Sequence, residues 1–386
     1  MTADGPGASA YPRFSDAEMA RRHAALAAEM VAAGVEHAVV YGANRSGSAV
    51  GWLTRWPVTR EALAVVTPGE RDLLLVSFYN HVPNAGRIAT EADVRFAGTR
   101  PMATAIEELR RRGAAGRRVG LIGPLGYRPY AGLAAFAEPV PLDAGYTRLR
   151  LRKSDEEIEW LRVGASLTDR AVRALHDEAG PGVDERELGN IAERAYVGRG
   201  GTTHIHYFGA TAMDAPEVSV PAQWPAARPL RRGDALTCEV SASFWDYTGQ
   251  LLRTFAVGAE PTPLYRELHD VADAAFDAIV ERLRRGVTAA EVVDASRVIE
   301  EAGFTIRDDL VHGFVGGYLP PVLGSSSRAL EDVPDFTFES GMTVVVQPNV
   351  VTTDERAGVQ TGELVLVTDA GAERLHDYQR GFLRVE

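Results

Sequence analysis

In the first 150 residues, apolar positions recur at helical spacing in some stretches and in short β-branched runs in others. Ser15 and Glu18 form a capping box ahead of an apolar stripe, which predicts a helix that ends at Gly34. Further strands are predicted at 35–41, 63–67, 73–78 and 119–122, and further helices at 103–112 and 130–137. This alternation of strands and helices predicts an α/β domain over residues 13–150. Residues 1–12 are small, polar and rich in Pro and Gly, so we expect a disordered tail.

A long amphipathic helix is predicted to open a second domain, residues 151–386. Ser154 and Glu157 form a second capping box, and the apolar residues from Ile158 onward share one helical face. Beyond it the pattern predicts helices at 185–199, 264–285 and 289–302, strands at 204–208, 342–350 and 358–368, and a glycine-rich segment at 311–322.

The stretch 233–258 is the centre of this second domain. Two β-runs, 235–244 and 251–257, flank the turn-prone sequence Asp246-Tyr247-Thr248-Gly249. We interpret them as a β-hairpin whose inward side chains face a cleft.

This hairpin begins with Gly233-Asp234 and ends with Arg-Thr-Phe at 253–255 and Val-Gly at 257–258, a frame that resembles the aminopeptidase P, prolidase and creatinase superfamily. Lys153-Ser154, the His-Gly segment at 312–316 and the Gly-Met segment at 341–348 resemble the same family. The resemblance covers nearly the whole chain. It implies an α/β N-terminal domain, an α+β "pita-bread" C-terminal domain and a homodimer.

Metal-binding members of this superfamily hold two divalent ions with two Asp, one His and two Glu. The matching positions here are Glu239, Gln250, His312, Gln347 and Gly362. Glu363 follows one residue later, on the opposite face of a strand. Two divalent ions need anionic ligands, so the substitutions predict that the dinuclear metal site is lost and that the protein uses no cofactor. A single ion on Glu239 and His312 remains an alternative.

The composition of the chain argues against several classes of binding partner and against a disulfide. The net charge of −12 argues against nucleic acid and anionic membranes. We see no apolar run long enough to span a bilayer and no signal-peptide pattern, so we expect a cytoplasmic protein. The single cysteine, Cys238, excludes an internal disulfide.

Four residues are candidates for catalysis. His312 is the first candidate acid–base group, because a histidine titrates near neutral pH. Glu239 is its expected partner, for orienting the imidazole or binding a substrate cation. His204 and His206 alternate along a strand, which predicts that both face the cleft. A metal pair and a surface stripe are the alternatives for these two.

Six further residues are candidates for substrate binding. Gln250 and Gln347 keep hydrogen-bonding groups at the cleft floor without charge. The other candidates are Asp246, Tyr247, Tyr318 and Arg253. For Arg253, a structural salt bridge is the alternative.

These residues favour a metal-independent, creatinase-like hydrolase or lyase that acts on a small polar metabolite containing an amine or amidine. Two alternatives remain. One is a metal-dependent Xaa-Pro aminopeptidase or prolidase with a rebuilt site. The other is a domain that binds peptides or proteins without catalysis.

Overall fold

The computed structural model describes residues 11–44, 49–329 and 332–386. The chain divides into two compact units, with the boundary between Arg150 and Leu151. Most of the predicted tail, residues 1–10, lies outside the described residues. None of the helices in the described part of the chain is long and apolar enough to cross a membrane.

The first unit is built around a six-stranded mixed sheet with the strand order β4-β3-β2-β1-β5-β6. Its elements are α1 (Asp16–Ala32), β1 (His37–Ala43), α2 (Ala49–Thr54), β2 (Glu61–Val66), β3 (Asp72–Val76), α3 (Val82–Ile88), β4 (Ala92–Phe96), α4 (Pro101–Arg111), β5 (Arg118–Ile122), α5 (Tyr127–Ala134), β6 (Glu138–Pro141) and α6 (Asp143–Leu151). The α/β class predicted for this half is therefore correct, although the short helices α2, α3 and α6 were not anticipated. Ser15 caps α1 as expected, since its side chain accepts a hydrogen bond from the Glu18 amide.

The second unit contains a ten-stranded sheet with the main order β13-β12-β14-β16-β10-β8-β7. Its helices are α7 (Asp155–Glu178), α8 (Glu185–Arg194), α9 (Pro263–Arg282), α10 (Ala289–Ala295) and α11 (Val298–Glu301). Its strands are β7 (Thr202–Ala212), β8 (Asp234–Phe244), β9 (Tyr247–Thr248), β10 (Leu251–Val257), β11 (Thr305–Ile306), β12 (Val311–Phe314), β13 (Tyr318–Leu323), β14 (Thr343–Val346), β15 (Val350–Val351), β16 (Gly362–Val367), β17 (Ala372–Arg374) and β18 (Leu383–Val385). The predicted hairpin forms the antiparallel pair β8–β10 within this sheet.

Helix α7 packs on one face of the β8–β10 hairpin. The capping box of Ser154 and Glu157 is present in full at its start. Apolar residues of α7 form one core cluster with Leu236, Cys238 and Val240 of β8 and with Leu251, Phe255 and Val257 of β10. Gly249 permits this close approach, because a Cβ atom there would lie 2.5 Å from Ala165 Cα.

Because strand side chains alternate between faces, the intervening residues point away from α7. We call this second face, which carries Thr237, Glu239 and Ser241 of β8 and Gln250, Leu252 and Thr254 of β10, the site face. The candidate site lies on it.

Two predicted elements are divided in the structure. The strand predicted at 342–350 stops at Val346, since Pro348 has no backbone N–H for the ladder. The helix predicted at 289–302 is broken between α10 and α11, where the Ser296 hydroxyl donates to the Val293 carbonyl oxygen. The glycine-rich segment at 311–322 forms the antiparallel pair β12–β13.

Candidate functional site

Two amide side chains span the floor of the candidate site. Gln250 Nε2 donates to Glu239 Oε1 at 2.7 Å and lies 3.5 Å from Gln347 Oε1. All three residues are almost completely buried. The structure therefore brings together three of the residues that the sequence singled out.

A second chain of hydrogen bonds continues from Gln347 to Asp309. His312 Nε2 lies 3.3 Å from Gln347 Oε1, and Gln347 Nε2 donates to Asp309 Oδ1 at 3.1 Å. An amide oxygen only accepts, so in this bond His312 carries its proton on Nε2. The histidine thus sets the orientation of the Gln347 amide, which in turn holds the Asp309 carboxylate.

Tyr318 covers this chain from the outer side. Its ring stacks on the His312 imidazole with the centroids 4.0 Å apart, and its hydroxyl donates to Asp309 Oδ2 at 2.9 Å. Tyr318 is 55% exposed whereas His312 is inaccessible to solvent. Each oxygen of Asp309 therefore has its own hydrogen-bond donor.

Burial changes the protonation of the carboxyl groups. It raises the pKa of Glu239 to about 8, with smaller contributions from the charges of Asp308 and Asp309. It also raises the pKa of Asp309 to about 7, with a contribution from Asp308. The pKa of Asp308 is raised by burial as well. The charged groups that raise the pKa of Glu239 and Asp309 are themselves acids, so like charges lie close together in this site.

The acid–base role expected of His312 needs correction. Burial lowers the pKa of the imidazole to about 4, so His312 is neutral at physiological pH. The reason for choosing it, an ordinary histidine pKa near neutrality, does not hold for a side chain with no exposed surface. What the structure shows for His312 is a contact between its Nε2 and the amide oxygen of Gln347.

The prediction that His204 and His206 face the same way is wrong. The register of β7 against β8 shifts between Thr203 and Ile205, so the alternation of faces is interrupted at His204. His206 lies opposite Val240 on the helix-packed face, and its Nε2 is 2.8 Å from the Tyr196 hydroxyl.

His204 reaches only the edge of the site. Its ring lies edge-on to Phe314, whose ring is also edge-on to His312. On the site face of β7, Tyr207 lies directly opposite Glu239. The sequence analysis did not place Tyr207 in the site.

Arg253 and Tyr247 are structural residues, which corrects their assignment to substrate binding. Arg253 is 1% exposed on the face opposite to Glu239 and donates to Glu363 Oε2 at 3.0 Å. Tyr247 is buried, and its hydroxyl donates to Glu157 Oε1 of α7 at 2.9 Å. Successive side chains on a strand point to opposite faces, and both residues occupy positions that point away from the site face.

Asp246 lies in the turn between β8 and β9. It is exposed at the hairpin turn, in a left-handed conformation with φ of 68°. The turn abuts the loop between β12 and β13, where the Thr248 amide donates to the Val315 carbonyl oxygen at 3.1 Å.

Sequence reasoning missed Asp308 and Asp309. The available signal was a pair of adjacent acids before the apolar strand that carries His312. It also missed Ser241, which follows Glu239 by two residues and therefore shares the site face.

The residues present do not fit a dinuclear metal centre. Among the described residues, no group of three or more His, Cys, Asp and Glu side chains is arranged to hold a metal ion. The fifth ligand position, Gly362, has no room for a side chain, because a Cβ atom there would lie 2.7 Å from Gln347 Cα. The adjacent Glu363 points to the other face and pairs with Arg253 and Arg374.

We expect Gly362→Ala to destabilise the protein by about 2 kcal/mol, within the range for overpacked cores. The new methyl group would collide with the Gln347 backbone and with Val346 O. Urea denaturation measures the effect, and Gly371→Ala is the matched control because nothing lies within 4 Å of its Cβ position. A change below about 0.5 kcal/mol for Gly362→Ala would mean that this position can accept a side chain.

The sequence pattern of metallopeptidase family M24 matches residues 159–369, more than half of the chain. The chain belongs to metallopeptidase family M24. It is 25% identical over 236 residues to a Xaa-Pro dipeptidase of Pyrococcus furiosus, a match that covers 61% of this chain and 66% of the relative. It is 26% identical over 252 residues to an uncharacterized peptidase of Bacillus subtilis, covering 64% and 67% of the two chains.

Solved structures of Xaa-Pro peptidases share the fold of this M24 member. A Xaa-Pro dipeptidase from Bacillus anthracis superposes with a TM-score of 0.80 at 20% identity, over 95% of this chain and 100% of that one. An X-Pro aminopeptidase from Thermotoga maritima gives a TM-score of 0.81 at 16% identity, over 94% and 99%. These structures confirm the predicted fold. The names of the relatives favour the metal-dependent peptidase alternative over the metal-independent hydrolase.

Proposed function

We propose that this M24 member hydrolyses a C–N bond in a small polar substrate that carries a cationic amine or amidine group, without a metal ion. The observation that carries this proposal is a cluster of three carboxyl groups, the buried Glu239 and Asp309 and the half-buried Asp308, in which the charges of Asp308 and Asp309 raise the pKa of Glu239. Buried carboxylates need a positive partner or a proton. A substrate cation supplies that partner.

The two strongest acid–base candidates are Asp309 and Glu239, which are connected through the side chains of Gln347 and Gln250. Asp309 contacts Gln347, Gln347 approaches Gln250, and Gln250 contacts Glu239. Between pH 7 and 8, Asp309 is mainly ionised and Glu239 mainly protonated. The pair therefore combines a base and an acid at neutral pH.

Hydrolysis follows from these roles. Asp309 takes a proton from water, whose oxygen forms a bond to the substrate carbon. Glu239 gives its proton to the nitrogen as the C–N bond breaks. Transfer of the proton on Asp309 back to Glu239, directly or through solvent, restores the starting state. His312 and Tyr318 position Asp309 through the hydrogen bonds already described.

The second candidate is a metal-dependent Xaa-Pro peptidase, which the family membership and the Xaa-Pro dipeptidase relative support. It requires ligands other than those at the five family positions. A homodimer and a cytoplasmic location remain predictions under either candidate.

Metal content and turnover, measured together, separate the candidates. Protein purified without chelator is expected to contain well below one equivalent of Mn, Co, Zn or Fe by elemental analysis. It is expected to deplete members of a library of small amides and amidines that carry amino or guanidino groups, as followed by mass spectrometry, with and without EDTA.

Stoichiometric metal, together with EDTA-sensitive cleavage of Xaa-Pro dipeptides, would replace this proposal with the metal-dependent peptidase. Absence of turnover with both substrate classes, combined with tight binding of a peptide, would favour the non-catalytic binding domain.

A further inference from the structure

Two buried polar atoms on the site face have no hydrogen-bond partner among the described residues. They are Ser241 Oγ and Gln250 Oε1. Ser241 is inaccessible to solvent and Gln250 is 1% exposed. An unpaired buried polar atom is costly, so such atoms are rare unless a ligand or water satisfies them.

These two atoms belong to neighbouring strands. Leu251 of β10 pairs with Val240 of β8, so the next step of the antiparallel register places Gln250 opposite Ser241. Residues in such a position lie close enough for one small group to contact both. Ser243, the next site-face residue of β8, contrasts with Ser241, because its hydroxyl accepts a hydrogen bond from Thr248 at 2.9 Å.

We propose that Ser241 and Gln250 form a subsite for a neutral amide or urea-type group of the substrate, so that the substrate is a cationic amide rather than a simple amidine. This inference rests on the proposed function, since it identifies the substrate class of the same site. It adds Ser241 as a substrate-binding residue.

The hydrogen-bonding capacity of Ser241 Oγ and Gln250 Oε1 favours an amide or urea-type group. Gln250 Oε1 can only accept, so it needs a ligand N–H, whereas the Ser241 hydroxyl hydrogen needs an acceptor. An amide supplies an N–H and a carbonyl oxygen side by side. A protonated amidine supplies only N–H groups and leaves the hydroxyl hydrogen unsatisfied.

The carboxylate of Asp309, which acts as the ionised base in the proposed function, places the cation. Asp309 is connected to the subsite through Gln347, whose Nε2 donates to Asp309 Oδ1 at 3.1 Å and whose Oε1 lies 3.5 Å from Gln250 Nε2. A substrate that fills both places carries an amide and, a few bonds away, an ammonium or guanidinium group.

Urea and guanidinium are the probes, since they share a planar shape and only urea has a carbonyl oxygen. Crystals of the full chain are soaked in each at about 0.3 M. Urea is expected to contact Ser241 Oγ and Gln250 Oε1 in the wild type and to be lost in Ser241→Ala. Absence of urea from this pair, or equal occupancy in Ser241→Ala, would overturn the proposal.

Melting temperatures give an independent test that needs no ligand. Ser241→Ala removes an unpaired hydroxyl and is expected to leave the melting temperature unchanged or higher. The matched control Ser243→Ala breaks the bond to Thr248 and is expected to lower it by about 2–4 °C. A similar loss in both variants would show that Ser241 is structural and would refute the subsite.

Turnover then separates the subsite from the proposed function. With an amide substrate, Ser241→Ala is expected to reduce kcat/KM by about 10-fold or more relative to Ser243→Ala. Equal kcat/KM values in the two variants would overturn the subsite even if the wild type is an active hydrolase. Urea binding without turnover of any substrate would refute the hydrolase and leave the subsite standing.

Discussion

Glu239→Gln is expected to stabilise the protein at pH 7.5 by about 2–4 kcal/mol and to lower turnover by about 10²–10⁴-fold. Burial raises the pKa of Glu239 from its ordinary 4.5 to about 8. Between these two values the folded state holds a proton that the unfolded state has released, so stability falls as pH rises. Gln keeps the hydrogen bond with Gln250 and removes this cost.

The magnitude follows from the pKa difference. Each unit corresponds to about 1.4 kcal/mol, and pH 7.5 lies three units above 4.5, which sets an upper limit of about 4 kcal/mol. At pH 4 both states are protonated, and the difference between variant and wild type should vanish. Urea denaturation from pH 4 to 8.5 measures this dependence.

Glu363→Gln is the matched control, because Glu363 is also buried but lies on the other face of the sheet. Burial alone would raise the pKa of Glu363, but the hydrogen bond from Arg374 and the charge of Arg253 outweigh it and lower the pKa. Removing this charge leaves two arginines without their partner and is expected to destabilise by about 3–5 kcal/mol at pH 7.5. If Glu239→Gln behaved like Glu363→Gln, Glu239 would be ionised beside a positive partner and its proposed role as a protonated acid would be wrong.

Asp309→Asn is expected to lower kcat by about 10²–10⁴-fold, because the amide cannot take the proton from water. The kcat/KM of the wild type should rise with pH through about 7 as Asp309 ionises and fall above about 8 as Glu239 loses its proton. The rising limb should disappear in the variant. Stopped-assay rates from pH 5.5 to 9 with an identified substrate give the profile.

Asp308→Asn tests whether Asp308 acts only through its charge, by raising the pKa of Asp309, or takes part in the reaction itself. Asp308 raises the pKa of Asp309, and the hydrogen bonds from Tyr318 and Gln347 to Asp309 do not involve its side chain. The variant should keep kcat within about 10-fold and move the rising limb to lower pH. Full activity in Asp309→Asn, or an unmoved limb in Asp308→Asn, would assign the base to another residue.

Local sequence signals determined much of this protein. The capping box at Ser154, the turn signal of the hairpin at Asp246 and the strand alternation each depend on near neighbours in the chain. The resemblance to the aminopeptidase P, prolidase and creatinase superfamily also implied that Glu239, Gln250, His312 and Gln347 share one site, and the structure connects them by hydrogen bonds or close approach.

Only the tertiary structure determined which face of the sheet each side chain occupies and which site residues are charged. A one-residue register shift in β7 separated His204 from His206, and one step along β10 sent Arg253 to the helix side. Protonation depends on how much water is excluded from every direction, so the sequence could not indicate that His312 is neutral while Glu239 holds its proton. Residue types and spacing are local properties, whereas desolvation is a property of the packed whole.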